Sequence, residues 1–241
     1  VVGIDAYDEW VPLGNAVSDA LGFSSAIQDF GFESQIVLTN DMATVGKIRE
    51  AIEDDMVAKV EPDDLFVLFF AGHGHTINDS GFLVPVEASR QLGKASTLIG
   101  MEQVLGWVKK LRSRHVLYVF DACFSGSATL DAGISMPGKS GDARYSITAG
   151  TATQEVLDGG GEDGHSVFTT ALLEGLRTIG GTDHRFSALH LYSHIEAEVR
   201  KKAGDQQTPS FGTLPGHGGG LIWFRGKPDQ EAQTQAEQGH T

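Results

Sequence analysis

Apolar positions along the chain follow two alternating spacings. Short apolar runs predict six strands, at Val1–Ile4, Gln35–Leu38, Leu65–Phe70, His115–Phe120, Tyr145–Ala149 and Leu221–Phe224. Apolar residues at helical spacing predict five helices, within Leu13–Phe30, Met42–Met56, Met101–Leu111, Val167–Ile179 and Leu189–Val199. Strands that are apolar on both faces and alternate with helices are typical of a parallel sheet covered on both sides. The pattern therefore predicts an α/β fold.

Domain organisation follows from the same pattern. The linkers are too short to isolate a second core, so residues 1–226 form one predicted domain. Residues 227–241 are rich in Gln and Glu, and we expect a disordered tail there. The stretch Ser125–Arg144, rich in Gly, Ser and Ala, is typical of a long mobile loop.

Composition and charge exclude several classes of function. The 241 residues carry 18 Lys and Arg against 32 Asp and Glu, a formal net charge of −14. Such a charge argues against general nucleic-acid binding and against docking on anionic membranes. The longest apolar run, Leu65–Ala71, falls far short of the ~20 residues that a membrane span needs. The first residues show no signal peptide, and the single cysteine excludes an intrachain disulfide, so we expect a cytoplasmic protein.

Two groups with catalytic chemistry follow the two most apolar strands. His73 and Gly74 come shortly after the run Leu65–Phe70, and Cys123 comes shortly after His115–Phe120. Sites in open parallel sheets form at the carboxyl ends of the strands, and neighbouring strands lie ~5 Å apart. If the two strands are neighbours, the thiol of Cys123 is expected beside the imidazole of His73.

A thiol beside an imidazole can act as a nucleophile. A free thiol with a pKa of about 8.5 is mostly protonated at neutral pH, and a nearby imidazole supplies the base that forms the thiolate. The backbone N–H groups of Gly74 and Cys123 are suited to stabilise an oxyanion at the attacked carbonyl. Taken singly, Cys123 is more often a buried small residue and His73 a structural turn residue. Their coincidence at one edge of the sheet favours catalysis.

Eight segments carry a resemblance to a known family. They are VVGIDAY, LGNAVSDA, DDLFVLFFAGHGH, GFLVPVEA, HVLYVFDACFSG, ITAGTATQEVLDG, HSVFTTALLEGL and GLIWF, in order from residue 1 to residue 224. Together they resemble the caspase-type cysteine peptidases, especially metacaspases and the caspase-like proteins of bacteria. The resemblance implies a caspase-like three-layer sandwich, with a mostly parallel sheet of about six strands between two helical layers.

The resemblance also implies roles for individual residues. Cys123 corresponds to the nucleophile, His73 to its acid–base partner, and the amides of Gly74 and Cys123 to the oxyanion hole. Metacaspase-like enzymes hydrolyse proteins and peptides after Arg or Lys. The carboxylates that bind this basic side chain correspond to Asp121 and Asp19.

The residues themselves support a pocket for a cation. Asp121 and Cys123 are two positions apart at a strand end, so their side chains can point the same way. A carboxylate there serves better as counter-ion for a substrate cation than as partner of a thiolate, whose pKa it would raise. Glu155, in TATQEVLDG, is a further candidate for the pocket rim. The structural alternatives are a turn cap for Asp121 and an exposed helix charge for Asp19.

The resemblance raises two questions about activation. Relatives are often cut in the segment that corresponds to Ser127–Arg144, so self-processing is expected after Lys139 or Arg144. Many relatives need calcium; the chain is acidic but has no EF-hand pattern, which leaves calcium activation open. No organic cofactor is implied.

Three other classes of function compete with a peptidase. A metal-dependent hydrolase would draw its ligands from His73, His75, Asp79 and Cys123, but no further histidine follows at ligand spacing. A caspase-like fold can also serve as a non-enzymatic interaction module, although both reactive residues are present here. A nucleotide-binding fold lacks support, because neither GxGxxG after the first strand nor GxxxxGK[ST] occurs. The sequence leaves the oligomeric state open.

Overall fold

The computed structural model describes residues 1–32, 35–91, 94–122, 141–150, 160–179 and 185–226. Its strands are β1 (Val2–Gly3), β2 (Leu38–Thr39), β3 (Leu65–Ala71), β4 (Gly74–Ile77), β5 (Ser80–Leu83), β6 (Ile99–Gly100), β7 (His115–Asp121), β8 (Ala143–Thr148), β9 (Arg185–Ser187), β10 (Ser210–Thr213) and β11 (Trp223–Arg225). Its helices are α1 (Ala16–Ile27), α2 (Val45–Arg49), α3 (Val57–Lys59), α4 (Met101–Lys110), α5 (Val167–Thr178) and α6 (Ala188–Ala203), with a π-helical segment, Glu50–Met56, joining α2 to α3. Within these ranges, no helix has both the length and the hydropathy to cross a membrane. The predicted tail, residues 227–241, lies outside them.

A six-stranded sheet forms the centre of the fold. Its strand order is β10-β8-β7-β3-β1-β2, and every neighbouring pair is parallel except β10 with β8. Strands β3 and β7 pair over their full length, from Leu65 opposite His115 to Ala71 opposite Asp121. The predicted α/β class and mostly parallel sheet are confirmed.

Alternate side chains of the two central strands face opposite helical layers. Phe66 and Phe70 of β3 and Tyr118 of β7 belong to an apolar core that includes α2, the π-helical segment and α4. Phe69 of β3 and Val119 of β7 belong to a second core, with α1, α5 and α6. All five side chains are buried, as expected for strands between two covering layers. The architecture is the three-layer sandwich implied by the resemblance.

Part of the sheet structure was not predicted. The sixth strand of the central sheet is β10, whereas the predicted strand Leu221–Phe224 corresponds to β11, which pairs with β9 in a separate two-stranded sheet. Strand β10 lies at an edge and has one large apolar residue, Phe211, so no apolar run marks it. The small sheet formed by β4, β5 and β6 was also missed.

A carboxylate cap fixes the loop after β1. Asp5 accepts hydrogen bonds from the N–H groups of Ala16 (2.7 Å) and Val17 (3.3 Å), the first two residues of α1. A carboxylate at a helix N-terminus satisfies unpaired N–H groups and is stabilised by the helix dipole. The N–H of Asp5 donates in turn to Oδ1 of Asn40 at 2.9 Å. These bonds fix both ends of the segment 5–16, which forms one wall of the candidate site.

Candidate active site

The tips of β3 and β7 meet at one edge of the sheet. Ala71 and Asp121 are register partners, and the N–H of Gly72 donates to the carbonyl of Asp121 at 3.1 Å. In the sequence, His73 and Cys123 each follow these partners by two positions. The predicted adjacency of the two strands is confirmed, and His73 stands at their carboxyl end. Cys123 itself lies outside the described residues.

A backbone carbonyl holds the imidazole of His73. Nε2 of His73 lies 2.8 Å from the carbonyl oxygen of Val11. Since a carbonyl only accepts hydrogen bonds, we assign the proton of the neutral ring to Nε2. The basic lone pair is then on Nδ1, which is the nitrogen able to accept a proton from a neighbouring group.

Tyr7 positions the backbone of the same histidine. Its hydroxyl oxygen accepts a hydrogen bond from the N–H of His73 at 2.8 Å, and the two ring centroids lie 4.9 Å apart. Gly72 has a φ of +157°, and a Cβ on it would lie only 2.6 Å from the Tyr7 hydroxyl oxygen. Glycine is therefore required at position 72, because a side chain would displace the group that fixes His73.

Trp10 packs against both histidines of this segment. Its ring centroid lies 5.6 Å from that of His73 and 5.0 Å from that of His75. Its indole N–H donates to the carbonyl of Ala88 at 2.9 Å, and the guanidinium of Arg90 lies over the ring at 5.5 Å. Trp10, in the loop after β1, thus packs against the His73 imidazole and limits its movement on that side.

The amide of Gly74 makes no ladder hydrogen bond with β5. The N–H of Val84 donates to the carbonyl of His73 at 3.0 Å, and Gly74 is the register partner of Leu83. In an antiparallel ladder, hydrogen-bonded and non-hydrogen-bonded pairs alternate. The pair Gly74–Leu83 is therefore of the second kind, and the N–H of Gly74 points away from β5.

The two predicted pocket carboxylates meet at the N-terminus of α5. Asp19 lies on α1 and Asp121 ends β7, and both are buried, with 2% and 6% of their surface exposed. Oδ1 of Asp19 accepts from the N–H of Ser166 (3.2 Å) and faces Nδ1 of His165 (2.8 Å). Oδ2 of Asp121 accepts from the hydroxyl groups of Ser166 and Thr169. The structure thus brings Asp19 and Asp121 together around one residue, Ser166.

The N-terminus of α5 supplies hydrogen-bond donors to both carboxylates. Hydrogen-bond donors that point at a carboxylate stabilise its charge, and the N-terminus of α5 adds the positive end of a helix dipole. Ser166 is the N-cap of α5, and its hydroxyl oxygen accepts from the N–H of Thr169. Burial lowers the pKa of His165, an effect that Asp163 opposes and Arg177 reinforces. A neutral His165 donates Nδ1–H to Asp19 and leaves the carboxylate charge in place.

Arg144, one of the two predicted self-processing sites, lies within β8. Its guanidinium donates to the carbonyl oxygens of Val108 (3.1 Å) and Ser113 (2.9 Å), and its backbone is paired with Val116 of β7. Proteolysis concentrates at exposed loops, whereas Arg144 lies in a paired strand. The prediction that Arg144 ends a loop is wrong, because it lies in β8; self-processing after Lys139 or Arg144 stays a prediction.

Other predicted residues fall outside the described part of the chain, namely Glu155 and Lys139 in addition to Cys123. The sequence analysis missed Tyr7, Val11 and the pair His165 and Ser166. Tyr7 ends the VVGIDAY segment, and the HSVFTTALLEGL segment begins with His165 and Ser166, so membership of these motifs was the available signal. Val11 acts through its backbone, which no side-chain pattern marks.

Comparison with family models connects this geometry to a known class of protein. The model of the caspase domain, a peptidase family, matches residues 1–214. This match includes His73, Cys123, Asp19 and Asp121. The chain belongs to the caspase-domain family of peptidases, and membership of a peptidase family implies proteins as substrates.

A solved structure agrees with this assignment at the level of the fold. The chain is similar to the crystal structure of protein GSU0716 from Geobacter sulfurreducens, with 17% identity and a TM-score of 0.64. The alignment covers 95% of this chain and 93% of that chain. At this identity the likeness shows the fold alone. No curated protein matches the chain.

Proposed function

We propose that this chain is a cysteine endopeptidase that hydrolyses proteins after Arg or Lys, with Cys123 as nucleophile and His73 as acid–base partner. The observation that carries the proposal is the anchoring of His73 on the Val11 carbonyl, at the tip of β3 and beside the strand that leads into Cys123. The anchor leaves the basic nitrogen Nδ1 available for a thiol. The hydrogen bond from His73 to the Tyr7 hydroxyl holds the backbone of the same residue.

The proposed reaction has two stages. Nδ1 of His73 takes the thiol proton of Cys123, and the thiolate attacks the carbonyl carbon of the scissile bond. The carbonyl electron pair moves to oxygen, where the amides of Gly74 and Cys123 stabilise it. Collapse of this intermediate breaks the C–N bond, and the His73 imidazolium protonates the departing amine. A water molecule, deprotonated by His73, then hydrolyses the thioester and restores the thiol.

The preference for a basic side chain is supported by the paired carboxylates. Asp19 and Asp121 are buried and held by donors from the N-terminus of α5, and Asp121 stands two positions before Cys123. Arg presents a planar group that can donate two hydrogen bonds to carboxylates, and Lys presents a compact cation. We propose Glu155 as an additional acid at the rim of this pocket.

A positional peptide library tests the proposal with a matched pair of variants. His73→Ala removes the proposed base, and His75→Ala removes a histidine two positions away that also packs on Trp10. We expect wild type to prefer Arg and Lys before the cut. We also expect His73→Ala to lower kcat/KM by about 10³-fold or more, and His75→Ala to change it by less than about threefold. Assays with and without calcium measure ion dependence in the same experiment.

Three outcomes would contradict the proposal. If the folded wild-type protein cleaves no library member under either condition, the non-enzymatic interaction module is favoured. If His73→Ala retains wild-type cleavage, the histidine is not the base. If cleavage is lost equally in both variants and on chelation, the metal-dependent hydrolase is favoured.

A further inference from the structure

The loop before α5 contains a group that the proposed reaction does not use. We propose that His165 is a specificity-determining member of the same pocket: it positions Asp19, and its own charge sets how strongly the pocket binds a cation. This inference rests on the proposed function only in assigning a basic substrate side chain to Asp19 and Asp121.

The contacts of His165 connect a buried carboxylate to solvent. Nδ1 of His165 lies 2.8 Å from Oδ1 of Asp19, and the His165 side chain is 17% exposed against 2% for Asp19. The edge of the ring at Cε1 lies close to α1 at Gly22, where an added Cβ would come within 2.8 Å of this carbon. The imidazole can therefore exchange a proton with water while it remains bonded to the carboxylate.

The loop that carries His165 is tightly fixed. The hydroxyl of Ser18 on α1 donates to the carbonyl of Gly164, and the N–H of Glu162 donates to the hydroxyl of Thr170 at 3.0 Å. The carboxylate of Glu162 also pairs with Lys202 of α6 at 3.1 Å. Because contacts from α1, α5 and α6 hold the loop, His165 stays beside Asp19 when it gains or loses a proton. The change in its charge therefore alters the electrostatic field at the two carboxylates.

The charges around His165 decide the direction of the effect. Asp19 faces it from α1, Asp163 from the preceding turn and Arg177 from α5, and Asp121 lies beyond the shared residue Ser166. Burial lowers the pKa of His165, Asp163 opposes this shift and Arg177 reinforces it, so at neutral pH the ring is neutral and adds no positive charge beside the carboxylates. Protonation of His165 places a positive charge beside Asp19. The affinity of the pocket for a cation therefore falls as the pH falls through the pKa of His165.

Agmatine, a four-carbon chain with a guanidinium group at one end and an ammonium group at the other, is the probe for this effect. N-carbamoylputrescine, in which an uncharged urea replaces the guanidinium and the ammonium is kept, is the control ligand. We expect agmatine affinity in the wild-type protein to fall about tenfold between pH 7.5 and pH 5, from the repulsion of two cations a few ångströms apart in a partly buried site. His165→Asn keeps a donor near the position of Nδ1 but cannot titrate, so its affinity should change less than about twofold over this range. His190→Asn, on α6 with its ring at Trp223, should behave like wild type.

A second measurement needs no variant at His165. Binding and protonation are reciprocal, so saturating agmatine must lower the pKa of His165 observed by NMR and leave that of His190 unchanged. The inference is overturned if agmatine does not bind in an Asp19-dependent manner, if it leaves the His165 titration unchanged, or if His165→Asn loses affinity with pH as steeply as wild type. If agmatine binds with the expected dependence on pH and on Asp19 but the protein cleaves no peptide, the proposed peptidase function is contradicted and the inference about His165 stands. The two proposals can therefore fail separately.

Discussion

The two ends of the central sheet differ in their surroundings: one has an apolar cavity, and the other has a cluster of polar and ionisable groups. At the amino ends of β1 and β3, a cavity of about 520 Å³ is lined largely by apolar side chains such as Ile27, Phe30 and Phe66. At the carboxyl ends of β3 and β7, an anchored histidine and two buried carboxylates surround the point where the chain leads into Cys123. The candidate site thus lies at the sheet edge where open parallel sheets form their sites.

The difference between the two ends arises from how each is built. The amino-end cavity lies where β1 covers only the last two positions of β3, opposite Phe70 and Ala71. The carboxyl end is held by contacts between remote segments, such as the hydrogen bond between Ser166 and Asp19, which are 147 positions apart. Bonds that close such long loops restrict the chain strongly, and they hold functional groups in fixed positions.

The largest effect should come from the carboxyl end at Cys123. Cys123→Ala removes the proposed nucleophile and should lower kcat/KM for an Arg peptide by about 10⁴-fold or more. Iodoacetamide should inactivate wild type with one label, because the chain has a single cysteine. A variant with wild-type turnover, or wild-type activity after complete labelling, would contradict the role of the thiol.

Asp121→Asn should have the next largest effect. The amide keeps an oxygen acceptor for Ser166 and Thr169 but loses the charge, so kcat/KM for Arg substrates should fall about 10²-fold. Substrates with citrulline, which is uncharged and nearly the same shape, should change by less than about threefold. Asp121→Ala is a poorer test, because the two buried hydroxyl groups lose their acceptor at about 1–3 kcal/mol each. If Asp121→Asn lowers kcat/KM equally for the Arg and citrulline substrates, the charge of Asp121 does not contribute to recognition of the basic side chain.

The amino end should respond in stability and not in turnover. Phe66 is buried and lines the cavity, so Phe66→Ala should lower the free energy of unfolding by about 3–5 kcal/mol. Denaturant titration measures this loss. At a temperature where the variant is folded, kcat/KM should stay within about threefold of wild type. A large loss of turnover in folded Phe66→Ala would show that the two ends are coupled.

The smallest effect should come from Tyr7. Tyr7→Phe keeps the ring beside His73 but removes the oxygen that accepts its N–H, a loss of about 1 kcal/mol. If this bond positions the base, kcat should fall about three- to tenfold with little change in KM. Unchanged kcat, with a melting temperature lowered by the same substitution, would limit Tyr7 to a structural role.

The sequence predicted the parts of the fold that an apolar pattern encodes. Strands β3 and β7 are continuous apolar runs, and their pairing placed His73 and the segment before Cys123 at one edge. Strand β10 was missed because an edge strand with one large apolar residue has no such run. The start of β8 was placed two residues too late, which made Arg144 a loop residue in the prediction.

Whether a residue of the candidate site could be predicted depends on whether it contributes its side chain or its backbone. Asp19 and Asp121 were singled out because their side chains stand in recognisable motifs, and the structure brings both into contact with Ser166. The Val11 carbonyl was not singled out, since any residue at position 11 supplies the same oxygen and only the path of the chain decides where it lies. His165 was visible in the sequence, but its bond to Asp19 spans 146 positions and has no local signal.

The pairing of β7 with β8 has a consequence for any cut in the chain between them. His115–Phe120 and Ala143–Thr148 are joined by six parallel register pairs, and side chains of both strands enter the same apolar core. A single break between these strands would therefore leave two fragments that remain assembled without their covalent link. The nicked protein would run as two bands in a denaturing gel. In size-exclusion chromatography it would elute at the same volume as the intact chain.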